Sequence, residues 1–413
     1  MSGSSLAAAP TAINAKRVQY RVGHGGFHAS IVRPIKTGDF APLSYVYDVG
    51  ASPDVSLLGS AIGEFVYEMT SASLLTLDFV VISHVDEDHV NRLPALISAL
   101  KRANISVGTL VLPWLGGASK LLGLMRLRDK DTTAIAAQLL QSDSAVTQFA
   151  ASLGFRDVTF VKASSGTIDD SPAPDPIPDG TGANHVPVPA RVVDSGTDVA
   201  PAHAPWEMLV AQLAVPAAIL DGLAAEITKA TGLDVENEAD RRKLVDTSKT
   251  RAQLREILEV LGRTHDLARP GVTLTNWSSI SLHSTSTNPY ARHTVPEASA
   301  LSFSVNCEHA WLHTGDLPLH LDDVWQEFES EWDRIGVAHE VCTVTAPHHG
   351  SQHGHNINLY TRFVTSAVVF TFGLTVGTQR GVPKWSKLLD PKPVMRHLRL
   401  HGALKLRLLN NRP

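Results

Sequence analysis

Apolar residues in the first quarter of the chain either alternate with polar ones or form short unbroken runs, and both patterns predict strands. From about residue 17, the segments VQYRV, FHASIV and YVYDVG are separated by a glycine-rich turn and a loop. Residues 56–76 carry apolar positions at helical intervals and predict a helix. The next run, LDFVVIS, is almost entirely apolar, which predicts a strand buried on both faces that ends at His84.

The same patterns return after a middle section of different character. A helix is expected over 93–102 and a buried strand at GTLVLPW, and helical spacing recurs over about 132–152 and 238–262. From about residue 272, strand patterns resume at VTLTNWSSISLH, ALSFSVNCEHAWLHTGD, EVCTVTAPHHG and AVVFTFG, with a helix over about 321–335. Because strands and helices alternate on both sides of the middle section, we expect one α/β core that it interrupts.

We therefore divide the 413 residues into three parts. A disordered leader is expected at 1–16, the core at 17–115 and 271–413, and a mostly helical insertion at 116–270. Within the insertion, residues 163–205 are rich in Pro, Gly, Asp and Ser without a sustained period, which predicts a long loop. The insertion offers a surface for a protein partner, and the sequence leaves the oligomeric state open.

Charge is distributed unevenly along the chain. The formal net charge is −5, yet residues 379–413 hold nine Lys or Arg and one acid, so this segment is +8 and the remainder −13. A basic segment on an acidic body suits a polyanionic substrate, and Lys384, Lys387 and Arg396 are the candidates for substrate binding. A solvated helix face followed by a basic tail is the alternative interpretation.

Composition excludes several classes of protein. With 43% hydrophobic and 19% charged residues, the chain resembles globular domains and not disordered or fibrous ones. No apolar run approaches the roughly 18 residues of a membrane span, and the first residues lack the basic and apolar regions of a secretory signal. Cys307 and Cys342 are the only cysteines, too few for a disulfide framework, so we expect a reducing cytoplasm.

The segment ISHVDEDH places four potential metal ligands directly after the buried strand LDFVVIS. Alternate residues of an extended segment point the same way, so His84, Asp86 and Asp88 can converge, while His89 turns into the following helix toward a second ion. Mixed imidazole and carboxylate donors suit hard and borderline divalent metals. Open α/β folds place ligand sites at the carboxyl ends of strands, which is where this run lies.

Two later segments repeat this arrangement of an apolar strand followed by a ligand cluster. AWLHTGD ends in His313 and Asp316, and VTAPHHGSQHGH contains His348, His349, His353 and His355. We expect Asp316 to bridge two ions and one of the paired histidines to complete the second site. His313 is expected to be structural, His353 and His355 to be loop residues or substrate contacts, and Asp48 to orient a ligand by hydrogen bonding.

The motifs VGHGGFHAS, YDVG, ISHVDEDH, NWSSISL, LHTGD and APHHGS, in this order, resemble the metallo-β-lactamase superfamily. The resemblance is to the branch similar to the hydrolase domain of the competence protein ComEC, over about 17–112 and 272–413. It implies an αββα sandwich, and a site in which His349 lies near the ligands His84, Asp86, Asp88, His89, Asp316 and His348. Val90, Asn91 and Arg92 stand where the family usually has two glycines soon after His89, and Asp390-Pro391 is the nearest counterpart of a frequent His-Pro pair.

The predicted activity is hydrolysis of a phosphodiester, by a phosphodiesterase or nuclease acting on nucleic acid or nucleotide through a hydroxide that bridges two divalent ions. Zinc is the first expectation for the metal and manganese the second. In this scheme Asp88, His89 and His348 hold one ion, His84 and Asp86 hold the other, and His349 or His353 contacts the scissile phosphate or protonates the leaving oxygen. The alternatives are a hydrolase of a small ester, lactone or thioester, and a non-catalytic binding or scaffold protein with a vestigial site.

Overall fold

The fold is taken from a computed structural model of the chain. The structure describes residues 13–20, 22, 25–36, 38–51, 55–126, 135–164, 186–202, 204–246, 254, 256–257, 274–287, 302–304, 310–337, 341–350, 354, 356–363, 367–372 and 405–410.

Fifteen strands are present in the described part of the chain. They are β1 (Ile13–Tyr20), β2 (Phe27–Pro34), β3 (Leu43–Val49), β4 (Thr76–Val81), β5 (Ser106–Pro113), β6 (Asp157–Lys162), β7 (Ala190–Asp194), β8 (Thr197–Asp198), β9 (Trp206–Gln212), β10 (Ile280–Ser286), β11 (Ser302–Ser304), β12 (Ala310–His313), β13 (Val341–Thr345), β14 (Ala367–Phe372) and β15 (Lys405–Asn410).

Helices follow or separate these strands. They are α1 (Val55–Ser71), α2 (Glu87–Val90), α3 (Leu93–Arg102), α4 (Gly117–Arg126), α5 (Ile135–Gln141), α6 (Asp143–Leu153), α7 (Ala217–Thr231), α8 (Glu238–Asp246), α9 (Leu274–Trp277), α10 (Asp322–Ile335) and α11 (Asn358–Arg362), with a short 3-10 turn at Pro347–Gly350. Helix α3 shows why such segments are helical, because its buried Leu93, Leu96, Ile97 and Leu100 lie on one face and Pro94 stands in its first turn.

The strands form two mixed sheets. Sheet one has the order β11-β1-β2-β3-β4-β5-β6-β7, and sheet two has the order β15-β14-β13-β12-β10-β9-β8. Neighbours from β3 to β7 are parallel, as are those from β12 to β15. The other pairs are antiparallel, so each sheet combines a parallel half with an antiparallel half.

The two sheets pack face to face, with helices on their outer faces. One apolar cluster joins side chains of both sheets, including Tyr45 and Phe79 of sheet one and Trp206 and Ile280 of sheet two. The hydroxyl of Tyr47 also donates across the gap to the carbonyl of Ile280 at 2.6 Å. Helices α1, α3, α5 and α6 cover the outer face of sheet one, and α10 and α11 cover that of sheet two. The architecture is therefore an αββα sandwich, which confirms the predicted fold class.

The middle section differs from the expected mostly helical insertion at 116–270. Strands β6 and β7 extend sheet one, and β8 and β9 extend sheet two, so this section contributes to both sheets. Between β7 and β8 the chain crosses from one sheet to the other through Ser195 and Gly196. The Pro- and Gly-rich composition of 163–205 concealed β7 and β8. Strand β8 has only two residues, and β7 is a half-exposed edge strand without a clear apolar face.

Two further boundaries differ from the expectation. Residues 13–16, assigned to the leader, belong to β1, where they pair with β2. The helical pattern over 132–152 is two helices, because Ser142 begins a new one by accepting a hydrogen bond from the amide of Ala145. Residues 165–185 of the expected loop at 163–205, and most of the chain after α8 up to residue 273, lie outside the described residues. Among the described helices, none has the length and hydropathy needed to cross a bilayer.

Candidate metal centre

Three chain segments meet at one end of the sandwich. They follow the carboxyl ends of β4, β12 and β13, and two of these strands, β12 and β13, are parallel neighbours. The amide of His348 donates to the carbonyl of Gly315 at 3.1 Å, which joins the last two segments. The amide of Ile280 donates to the carbonyl of Ser83 at 2.7 Å, which joins sheet two to the segment after β4. The predicted ligand clusters are therefore neighbours in space.

Asp316 lies at the centre of this meeting point, and its Oδ1 atom faces two imidazoles. Oδ1 is 3.4 Å from Nε2 of His89 and 3.5 Å from Nε2 of His349. These two nitrogens are 3.2 Å apart, and Oδ2 of Asp88 lies 3.4 Å from that of His349 and 4.0 Å from that of His89. We call Asp88, His89 and His349, together with Oδ1 of Asp316, the Oδ1 side of the centre.

The other carboxylate oxygen of Asp316 faces a second pair of histidines. Oδ2 is 3.9 Å from Nε2 of His84 and 3.7 Å from Nε2 of His348. Oδ2 of Asp86 lies 3.5 Å from Nε2 of His84. We call His84, Asp86 and His348, together with Oδ2 of Asp316, the Oδ2 side. One carboxylate thus stands between two groups of potential ligands.

Burial and charge act against each other on the central residues. Burial by itself would raise the pKa of Asp316, but the imidazoles of His349, His89 and His348 outweigh it and hold that pKa well below its ordinary value. Burial would lower the pKa of His89, yet Asp316, Asp48 and Asp88 together raise that pKa well above its ordinary value. Both shifts show that the surroundings of Asp316 and His89 favour positive charge, which a bound cation would supply in place of protons.

The backbone carrying these ligands adopts conformations that cost energy. His348 and His349 both have positive φ, at 49° and 53°, inside the turn Pro347–Gly350. Left-handed backbone costs a non-glycine residue about 1–2 kcal/mol, and two in succession persist only where surrounding contacts enforce them. This turn aims both imidazoles at the same carboxylate.

Two glycines allow the segments to approach each other closely. A Cβ on Gly50 would lie 2.3 Å from the carbonyl carbon of Asp88 and 2.5 Å from the amide of His89. Gly315 has a φ of 54°, and a Cβ there would lie 3.0 Å from Cβ of both Ser83 and Ser279. A larger residue at either position would separate the ligand segments.

Hydrogen bonds from outside the ligand groups hold two of the histidines. Nδ1 of His89 lies 2.8 Å from Oδ2 of Asp48, a residue at positive φ in β3. The hydroxyl of Ser83 donates to the same Oδ2 at 2.9 Å and lies 3.0 Å from Nδ1 of His84. Asp48 therefore makes the kind of contact expected of it from the sequence.

The residues fit a divalent ion on three observations. First, the donors are imidazole nitrogens and carboxylate oxygens, which zinc and manganese both accept. Second, Nε2 of His84 is buried and has no hydrogen-bond partner within the described residues, although it points at the centre. Third, Oδ1 of Asp316 and the Nε2 atoms of His89 and His349 lie 3.2 to 3.5 Å from one another. In a tetrahedral zinc site with bonds of 2.0–2.1 Å, two ligand atoms are about 3.3 Å apart, so these separations fit such a site. The trios His84, His89, Asp316 and Asp88, His89, His349 each bring three ligand atoms within 4.8 Å of one another.

The centre contains seven of the eleven site residues selected from the sequence. His84, Asp86, Asp88, His89, Asp316, His348 and His349 come together. The arrangement differs from the expectation in one respect, because His349 and not His348 lies beside Asp88 and His89. His353, Lys384, Lys387 and Arg396 lie outside the described residues.

His313 and Ser83 show what the sequence indicated and what it concealed. The ring of His313 stacks between Tyr47 and Trp311, with centroids 4.5 and 4.9 Å away, and burial holds its pKa well below the ordinary value. It is therefore a packing residue of the sandwich interior, as expected.

Ser83 is not a metal ligand by its chemistry, and its one signal in the sequence is its position between a buried strand and His84.

No protein-family profile and no curated protein sequence matches the chain. Among solved structures, the metallo-beta-lactamase fold protein YhfI from Bacillus subtilis aligns at 9% identity and a TM-score of 0.31, over 88% of this chain and 89% of that one. Unliganded yeast PDE1 aligns at 10% identity and a TM-score of 0.34, over 95% of this chain and 96% of that one. A long form RNase Z from yeast aligns at 8% identity and a TM-score of 0.30, over 97% of this chain and 45% of that one.

Proposed function

We propose that this chain is a divalent-metal-dependent hydrolase of the metallo-β-lactamase superfamily and that it cleaves phosphodiesters in nucleic acid or nucleotide. The observation that carries the proposal is the position of Asp316, whose two oxygens face two separate groups of ligands from distant parts of the chain. A vestigial site in a scaffold protein would have no need to keep seven converging ligands and two strained histidines.

The two sides of the centre suggest which residues would hold each ion. Asp88, His89 and His349 would bind one ion with Oδ1 of Asp316, and His84, Asp86 and His348 would bind the other with Oδ2. This assignment exchanges the two adjacent histidines relative to the expectation from the sequence, because distance groups His349 with Asp88 and His89. Zinc is the first candidate and manganese the second, since mixed nitrogen and oxygen ligands serve both.

When bound, a pair of such ions lowers the pKa of a coordinated water to about 7 and neutralises charge on a phosphoryl oxygen. The protein supplies fixed ligands, because His84, His89, Asp316 and His349 are all buried and held by the ends of buried strands or by the turn after β13. Asp88, Asp86 and His348 are more open, with side chains 17 to 19% exposed. Substrate would therefore approach from the side of these three residues.

Two features bear on the substrate class. The basic segment 379–413, which includes Lys384, Lys387 and Arg396, would bind phosphates that flank the scissile bond. His353 is a further group that could contact the scissile phosphate.

The second candidate substrate, a small ester, lactone or thioester, is favoured by a different observation. Helix α5 contacts α2, so helices of the middle section lie beside the loop 84–89 and would restrict the size of a substrate.

A substrate panel with and without chelator tests the proposal. Purified protein would be incubated with single-stranded DNA, RNA, bis(p-nitrophenyl) phosphate and a lactone, each with zinc or manganese. We expect chelator-sensitive cleavage of the phosphodiesters. Cleavage of the lactone alone would support the second candidate, and no cleavage of any member would support a scaffold role.

An adjacent pair of variants controls that experiment. Asp88→Ala removes a ligand and should abolish both metal content and cleavage. Glu87→Ala changes an exposed side chain of α2 that makes no hydrogen bond or ion pair with the centre among the described residues, and it should leave both metal content and cleavage unchanged. Full activity of Asp88→Ala would contradict the proposed site.

A further inference from the structure

We propose that Ser83 is a positioning residue that fixes the rings of His84 and His89 through a single hydroxyl and so couples the two sides of the metal centre. The inference rests on the proposed function, because it concerns how the chain prepares those two histidines for metal. Its test includes a measurement on the metal-free protein, which keeps the two proposals separable.

The hydroxyl of Ser83 lies within hydrogen-bonding distance of three side chains at the centre. Its Oγ atom is 2.9 Å from Oδ2 of Asp48, 3.0 Å from Nδ1 of His84 and 3.3 Å from Nδ1 of His89. The backbone amide of Ser83 also donates to Oδ1 of Asp48 at 2.7 Å. Ser83 is fully buried, so no solvent competes for these contacts.

The number of available protons decides the direction of each hydrogen bond. An ionised carboxylate only accepts, so the Ser83 hydroxyl must give its one proton to Asp48. Its oxygen can then only accept from Nδ1 of His84, which therefore carries a proton. Asp48 likewise accepts from Nδ1 of His89, so that nitrogen is protonated as well.

The consequence reaches both sides of the centre. With a proton on Nδ1, each ring presents Nε2 to Asp316, His84 toward Oδ2 and His89 toward Oδ1. The two histidines lie on opposite sides of the carboxylate, yet the same hydroxyl touches both. Loss of that hydroxyl should therefore weaken the binding of both ions and not of one ion alone.

Ser279 provides a matched comparison within the same structure. It is also fully buried, and its Cβ and that of Ser83 lie at equal distance, 3.0 Å, from the position of a Cβ on Gly315. Its hydroxyl has no hydrogen-bond partner within the described residues. Ser83→Ala and Ser279→Ala thus remove the same atom from neighbouring buried sites, but only the first removes contacts with histidine.

Zinc affinity of the full chain is the first measurement, by competition with a chromophoric chelator. We expect Ser83→Ala to weaken both binding steps by about 10- to 100-fold, Ser83→Thr to restore them because it keeps the hydroxyl, and Ser279→Ala to bind like wild type. Equal losses in the two alanine variants would show a packing effect and overturn the proposal. Weakening of one step alone, or of neither, would also overturn it.

Nitrogen-15 NMR of the histidine rings in metal-free wild-type protein is the second measurement and needs no variant. We expect Nδ1 of His84 to carry a proton. An unprotonated Nδ1 would overturn the proposal even if Ser83→Ala failed to fold. If wild-type protein bound no zinc, the proposed function would fail, while the ring measurement would still decide the role of Ser83.

Discussion

Nδ1 of His89 donates a 2.8 Å hydrogen bond to Oδ2 of Asp48, a residue 41 positions earlier in the chain. Both side chains are buried, and Asp48 holds a φ of 59° at the end of its strand. The strained backbone brings one carboxylate under the loop that carries four of the seven candidate ligands. The arrangement of these candidate ligands therefore depends on residues outside their own group.

Asp48→Asn should weaken zinc binding by about 10- to 100-fold. The carboxylate accepts from three donors, the amide and hydroxyl of Ser83 and Nδ1 of His89. An amide offers one accepting atom and one donating atom, so at least one donor would lose its acceptor whichever way the side chain turned. Chelator competition measures the loss. Asp78→Asn, which changes a carboxylate bound to Ser44 instead, should leave zinc affinity unchanged; a comparable loss there would contradict a specific role for Asp48.

Gly50→Ala should lower both stability and metal content. The new Cβ would lie 2.3 to 2.5 Å from the backbone of Asp88 and His89, so the loop must move, at a cost of about 1–3 kcal/mol in the free energy of unfolding. Gly63→Ala is the control, because Gly63 lies in α1 and, apart from the helix's own backbone, no atom of the described residues lies within 4 Å of the added Cβ. That change should stabilise the protein by about 0.5–1 kcal/mol. Thermal unfolding and metal analysis of both variants would test the pair, and unchanged metal content in Gly50→Ala would argue against close packing of the loop.

The adjacent histidines should differ in their effect on metal binding. His349 lies within 3.5 Å of ligand atoms on Asp88, His89 and Asp316, whereas His348 approaches Asp316 at 3.7 Å and is more exposed. We therefore expect His349→Ala to cost more zinc affinity than His348→Ala, as measured by calorimetric titration. A larger loss in His348→Ala would favour the ligand assignment implied by the family resemblance.

The protein should lose stability in acid partly through His283, which lies in β10 away from the metal centre. Burial, assisted by the charge of Arg17, lowers the pKa of His283 from 6.5 to about 3. Between these values the unfolded chain binds a proton that the folded chain does not. The free energy of unfolding therefore falls as pH falls, by about 1.4 kcal/mol per pH unit from this residue.

His283→Gln removes this titration and tests its sign. Denaturant titrations should show a constant difference in the free energy of unfolding between wild type and variant above about pH 6.5. As pH falls toward 3, the free energy of unfolding of wild type should fall relative to that of the variant. A difference that stays constant across the whole range would show that His283 does not titrate as the burial of its ring requires.

The sequence predicted that the candidate ligands converge because side-chain chemistry and strand position coincide. Asp316 and His348 follow short apolar runs, and the parallel strands β12 and β13 bring these ends to one edge of sheet two. The αββα sandwich followed from the resemblance and from the alternation of strands and helices. These signals depend on residues close to one another in the chain.

Other features depend on contacts that no local pattern records. The pairing of His349 with Asp88 results from two successive left-handed residues, a conformation that the sequence PHHG does not encode on its own. Strand β9, with the sequence WEMLVAQ, joins sheet two only because β10 pairs with it. The role of Ser83 arises from Asp48 and His89 together, and a serine before a histidine predicts neither contact.

Metal analysis of the folded protein decides whether Asp316 stands between two metal-binding groups. Wild type and Asp316→Ala would be loaded with zinc and freed of excess metal. Plasma mass spectrometry would then measure the bound metal, and circular dichroism would check that the variant is folded. We expect two ions per chain in wild type and loss of both from the folded variant. Wild type without bound metal, or a folded variant that keeps both ions, would contradict this expectation.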